Sequence, residues 1–153
     1  MGELWLPVVE YEGLYEVSDL GRVRSLDRVT KQGAKKVGRV LKPHKSGHST
    51  HQQVHLCRDG TSKSRKVHQL VLEAFVGPRP DGCMALHYND VKTDNRLVNL
   101  RWGTCQENRQ DAIRNGLLPD AYETRRKDSP AAMLRNRKID WSRVDISKFI
   151  ARR

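Results

Sequence analysis

His87, Asn99 and Asn108 are the residues of this chain whose types and spacing best suit chemistry. They lie twelve and nine positions apart. A histidine that ends a strand offers an imidazole that titrates near neutrality and can take a proton from water. A carboxamide oxygen is a hard donor suited to a cation such as Mg²⁺. A second carboxamide can hold an imidazole in the tautomer that a reaction needs. A base, a cation and tight positioning are what hydrolysis of a phosphodiester requires.

The elements around these residues follow from local pattern. Met84–His87 reads as a short strand and 88–96 as a polar loop. Val98–Trp102 reads as a returning strand that carries Asn99. Thr104-Cys105-Gln106-Glu107 has the form of a capping box, so a helix is expected from Thr104 to about Asn115, with Gly116 after its end. A hairpin packed on that helix would gather the three residues around one cleft. Upstream, Leu72 and Phe75 with Val71 and Val76 form the stripe of a helix closed by Gly77-Pro78. Gln53–Cys57 reads as a strand that ends in the Asp59-Gly60 hairpin turn. Trp5–Val9, Tyr15–Ser18 and 20–26 read as short strands, and Val37–Leu41 as another within a basic loop. The fold class is therefore α+β. Residues 1–66 are expected to form a β-rich region and 67–116 a core of strand, loop, strand and helix. Residues 117–153 are expected to be a basic, partly helical segment.

Charge points to the partner. Lys and Arg number 29 against 18 Asp and Glu, a net charge of +11 and a pI near 10.0. Residues 28–68 hold eleven basic side chains and one acid, more than a solvated face ordinarily carries. A polyanion is the natural ligand of such a stretch, and double-stranded DNA comes first. The candidate contacts are Arg22, Arg24, Lys35, Lys36, Arg39, Lys42, Arg65, Lys66, Arg96 and Arg101. RNA is a weaker reading, because few aromatic residues are available for stacking. No apolar run is long enough to span a membrane, and the N-terminus lacks the pattern of a secretory signal. Cys57, Cys83 and Cys105 make no Cys-x-x-Cys pair, so a cytoplasmic setting without disulfides is expected. Nothing in the sequence argues against a monomer.

The remaining histidines and loop residues read more plainly. His44, His48, His51 and His55 straddle a loop and a strand and are not read as a metal site. His68 reads as a buried histidine at a helix start. Asp94 and Asn95 read as residues that shape the loop, and Trp102 as core.

The stretch Val67–Phe75, Leu86-His87, Asp94–Thr104 and Glu107-Asn108 resembles the HNH endonucleases, most closely those of phages and group I introns. The segment Trp5 and Tyr11–Leu26 is similar to the nuclease-associated modular DNA-binding motif that often precedes them. The resemblance implies a ββα-metal fold and a Mg²⁺ (or Mn²⁺) cofactor. It implies cleavage of double-stranded DNA to 5′-phosphate and 3′-hydroxyl ends, in a bacterial cytoplasm if the gene is viral. It makes His87 the general base, Asn99 the residue that orients it, and Asn108 a metal ligand. One position departs from the pattern. Where relatives place a ligand before the base, this chain has Leu86, and Asp90 is the substitute candidate. The alternative reading is a DNA-binding protein with a degenerate nuclease site.

Overall fold

The computed structural model describes residues 2–30, 33–45 and 50–119. The expected C-terminal helices lie outside the described residues. Residues 1–115 form one compact unit, and 116–153 a second, of which only 116–119 are described.

The chain opens with a three-stranded antiparallel sheet, β1 (Trp5–Pro7), β2 (Tyr15–Ser18) and β3 (Val23–Ser25), in that order. Tyr15, Val17 and Val23 point inward, and the alternate residues Glu16 and Arg24 pair across the other face. A small ladder follows, β4 (Arg28–Val29) with β5 (Lys35–Lys36). The strand expected over 37–41 is reduced to a single bridge, Arg24 to Val40. That segment has no second apolar face to bury, since Val37 and Val40 are both exposed.

A second three-stranded sheet is built on β7 (Gln52–Arg58), flanked by β6 (His44–Lys45) and β8 (Thr61–Lys66). Asp59 and Gly60 turn the chain with φ of 49° and 78°, the backbone of a tight type I′ hairpin. The turn fixes the register: Arg58 faces Thr61, and Gln53 faces Lys66. It also sets Val54 and Leu56 inward and leaves His55 and Cys57 outward.

Helix α1 (Val67–Phe75) follows β8 without a loop. Val67, Leu70, Val71 and Leu72 are all but completely buried. Each contributes on the order of 1.5–3 kcal/mol by leaving water. These four share one core with Val8, Tyr11, Tyr15, Val17 and Val23 of the first sheet and with Val54, Leu56 and Leu100. The N-terminal strands and the segment from α1 to β10 are thus packed around common apolar side chains rather than around two separate cores.

The last module is β9 (Met84–His87), one 3₁₀ turn over Leu97–Asn99, β10 (Leu100–Gly103) and α2 (Cys105–Arg114). Strands β9 and β10 are antiparallel, with His87 opposite Leu100. The capping box at Thr104 and Glu107 is present in both directions, and Gly116 follows the helix with φ of 73°. The fold class is α+β. Among the described residues no helix is long and apolar enough to cross a membrane.

Candidate active site

His87 closes β9 and is 2% exposed. Its Nε2 lies 3.3 Å from Oδ1 of Asn95, which is also buried. The orientation of the Asn95 amide is set by its other end, whose Nδ2 donates to Gln52 Oε1 at 2.6 Å. With Oδ1 as the acceptor, Nε2 of His87 must carry the proton and Nδ1 must carry the lone pair. That Nδ1 is buried and has no hydrogen-bond partner. Burial holds the His87 pKa below the usual value of 6.5, outweighing the opposing effect of the Asn95 bond. Nearby Lys92 lowers it further, against Asp94 and Asp90. His87 is therefore neutral at pH 7, the state a general base needs.

Asn99 was expected on the returning strand, oriented toward His87. It lies instead in the 3₁₀ turn that precedes β10. Its Nδ2 donates to Asn89 Oδ1 and to the Asp94 carbonyl, both at 2.9 Å, and its Oδ1 accepts from the Asn89 backbone. Its own carbonyl accepts from the Tyr88 amide. Asn99 pins the 88–96 loop from inside, and the side-chain hydrogen bond on His87 comes from Asn95. The sequence reading had given Asn95 only a loop-shaping part.

Asn108 is the fourth residue of α2, just past the capping box. Its carboxamide has no hydrogen-bond partner among the described residues. The other oxygen donors are committed. Asp90 accepts from Asn115 Nδ2 at 2.7 Å and pairs with Lys92. Asp94 takes both Arg96 nitrogens and Asn89. Leu86 is 2% exposed, and its Cδ1 is 2.6 Å from where any Cβ on Gly103 would stand. The position before the base is given to packing. Of the expected donors, only Asn108 is uncommitted, so a hard cation here would take most of its oxygen ligands from outside the protein.

Two histidines that sequence reasoning left aside stand beside His87. The ring centres of His68 and His87 are 5.0 Å apart, of His51 and His68 4.8 Å, and of His51 and His87 5.8 Å. The register of the β7–β8 hairpin explains the meeting. Gln53 faces Lys66, so continuing two residues outward sets His51 opposite His68. His68 is 3% exposed, and burial, then His87, His51, Lys66 and Lys92, lower its pKa to about 3. His44 and His55 instead stack on each other at 4.2 Å.

The expected DNA contacts divide into two sets. Lys35, Lys36, Arg39 and Lys42 are exposed and have no carboxylate partner among the described residues. Lys66 is half-buried near His51. The others are held by acids within the fold. Arg22 pairs with Glu3, and Arg24 with Glu16 while lying over the Trp5 ring. Arg65 pairs with Glu73 at 2.6 Å, Arg96 with Asp94, and Arg101 with buried Asp111 at 2.7 Å. Strand alternation showed which side Arg22 and Arg24 would take, but not that carboxylates would meet them there.

The lowered pKa of His68 gives a stability prediction with a definite sign. The unfolded chain binds this proton near 6.5 and the folded chain only near 3. Stability is therefore complete above about 6.5 and falls as pH drops through the interval between the two values. The slope from this one group is about 1.4 kcal/mol per pH unit. Urea midpoints in EDTA should fall between pH 7 and 5 for the wild type, and His68→Gln should flatten that fall. Equal pH dependence in the variant would show that His68 is not buried neutral.

Comparison with known proteins agrees with this geometry. Residues 65–110 match the model of the HNH endonuclease family, and residues 3–56 match the NUMOD4 motif. The DNA endonuclease I-HmuI of Bacillus phage SP01 is 31% identical over 114 residues, covering 74% of this chain and 60% of that protein. The uncharacterized HNH endonuclease L247 of Acanthamoeba polyphaga mimivirus is 31% identical over 124 residues, 76% of this chain and 27% of the relative. A solved structure of DNA binding and cleavage by the HNH homing endonuclease I-HmuI is similar with a TM-score of 0.61 and 27% identity. That match covers 81% of this chain and 66% of the other. The chain thus spans less than two thirds of the length of both curated relatives. Residues 65–110 belong to the HNH endonuclease family, and residues 3–56 in front of them carry the NUMOD4 motif.

Proposed function

We propose that this protein is a divalent-metal-dependent endonuclease that hydrolyses phosphodiester bonds of double-stranded DNA, as a nicking or double-strand-cutting enzyme. The observation that carries the reading is His87, buried, neutral and tied to Asn95 inside a segment that matches the HNH family. His87 takes the proton of the attacking water at Nδ1, the nitrogen whose lone pair the Asn95 bond leaves open. Asn95 keeps the other nitrogen protonated and prevents the ring from turning. Asn99 acts one step further out, by fixing the loop that carries Asn95. Mg²⁺ or Mn²⁺, held by Asn108 together with DNA oxygens, would neutralise charge that builds on the phosphate and leaving group. Products carry 5′-phosphate and 3′-hydroxyl ends. The similarity to a phage endonuclease supports a viral or mobile-element origin and action in a host cytoplasm.

The exposed cations Lys35, Lys36, Arg39 and Lys42 grip DNA phosphates. Arg22, Arg24, Arg65, Arg96 and Arg101 already face carboxylates, so they contribute less unless DNA displaces those partners. A second reading, a DNA-binding protein without cleavage, is favoured by Leu86, which removes a donor from the site.

A plasmid assay separates the two. The nuclease reading predicts Mg²⁺-dependent nicking that EDTA stops, and a loss of about 10²- to 10⁴-fold in His87→Ala with DNA binding retained. Binding without cleavage in any divalent metal would establish the second reading. The phosphate grip is tested by salt. Neutralising Lys35, Lys36, Arg39 and Lys42 together should flatten the plot of log K against log salt by about one unit per lost contact. It should weaken specific and nonspecific binding alike, because phosphates carry no sequence information. A quadruple variant with the wild-type slope would locate the grip elsewhere.

A further inference from the structure

His51, His68 and His87 form a cluster that the nuclease reading uses only at one corner. The three residues offer ligand nitrogens that all lie within 4.8 Å of one another. Two of the rings are buried, and Nδ1 of His68 and Nδ1 of His87 have no hydrogen-bond partner. Buried polar nitrogens left unpaired are costly, and a native structure usually gives them something to bind. The His87 lone pair is at Nδ1 by the tautomer argument above, so it is open to a metal as well as to a proton.

The spacing suits one cation. A tetrahedral ion holding imidazole nitrogens at about 2.0–2.1 Å places ring centres about 5 Å apart. The observed separations are 4.8, 5.0 and 5.8 Å. Closing the widest of these needs only a small shift of His51, which is the least buried of the three. Donor chemistry selects the ion. Three imidazoles suit a borderline cation of the Zn²⁺ class, whereas Mg²⁺ prefers oxygen. Lys66 and Lys92 oppose a dication here, and Asp90 and Asp94 near His87 offset them.

We propose that His51, His68 and His87 together bind one transition cation of the Zn²⁺ class, and that its occupancy withdraws the His87 lone pair and so inhibits DNA cleavage. The second half rests on the nuclease reading; the first does not.

The test is a titration of the metal-free full-length chain with Co²⁺ as the visible probe. One equivalent should raise the strong visible bands of four-coordinate Co²⁺. Zn²⁺ should displace it, and excess Mg²⁺ should not. His51→Ala should weaken binding at least about tenfold, since one of three ligands is gone. His44→Ala/His55→Ala should leave the affinity unchanged. Ring-nitrogen NMR of the unmutated chain reads the same site, with His51, His68 and His87 shifting together on Zn²⁺ addition. Absent Co²⁺ bands, wild-type affinity in His51→Ala, or binding lost only in the His44/His55 variant would overturn the site. In Mg²⁺-supported plasmid nicking, one equivalent of Zn²⁺ should stop the wild type. His51→Ala should resist, each protein being compared with its own Zn²⁺-free rate. Nicking that persists with the site saturated would overturn the inhibition alone. A chain that nicks in no metal counts against the nuclease reading, while the titration still decides the site.

Discussion

The carboxamide of Asn95 is the constraint on which the rest of the site depends. Its oxygen accepts a hydrogen bond from the Nε2–H of His87, and its nitrogen donates to Gln52 and, more distantly, to the Thr93 carbonyl. An amide bound at both ends cannot flip, so the imidazole it faces has one tautomer. The NUMOD4 segment reaches this same residue. Gly21 has φ of 78°, and a Cβ there would fall 2.7 Å from both Cβ and the carbonyl oxygen of Asn95. Only glycine allows that approach. Two residues later, at the start of the 3₁₀ turn, the Leu97 amide donates to the Asp19 carbonyl. The N-terminal motif therefore braces the loop that holds the His87 ring.

Around that contact, charge is arranged by burial. The pKa values of His51, His68 and His87 are lowered, first by desolvation and then by neighbouring rings and lysines. The arginines near the module are mostly spent on structure. Arg101 of β10 and Arg114 of α2 both grip Asp111, which is almost fully buried, at 2.7 and 2.6 Å. Arg114 and Asn115 also donate to the Tyr88 carbonyl, just past His87. The end of α2 is thereby locked to the loop after His87, while its start carries Asn108 at a position set by the capping box. Among the described residues, exposed cations without a carboxylate partner cluster in β5 and the stretch after it, with Lys63, Arg79 and Arg109 standing elsewhere on the surface.

Much of this was legible in the sequence, for identifiable reasons. The Asp59-Gly60 turn, the Thr104–Glu107 cap and the α1 stripe are local signals, and each element formed within a residue or two of its expected bounds. His87 at a strand end followed from the short apolar run before it. Three features needed tertiary context. Asn99 sat inside an apolar alternation that reads as strand, but its hydrogen bonds to Asn89 and Asp94 favour a 3₁₀ turn one step earlier. Asn95 looked like a loop residue because its partners, Gln52 and His87, are distant in sequence. His51 and His68 were separable from the surface histidines only by extending the hairpin register beyond the strand ends, a step that residue spacing alone does not suggest.

The central claim is that His87 is neutral in the DNA-free protein, with its proton on Nε2 and its lone pair on Nδ1. Proton–nitrogen correlation NMR of the histidine rings in the metal-free, nitrogen-15-labelled chain reads that state directly. The account predicts a protonated Nε2 and a bare Nδ1 for His87 at pH 7, with the ring charging at a lower pH than an ordinary histidine on acidification. A proton on Nδ1 with Nε2 bare, or a ring that charges at or above the ordinary histidine pH, would contradict it.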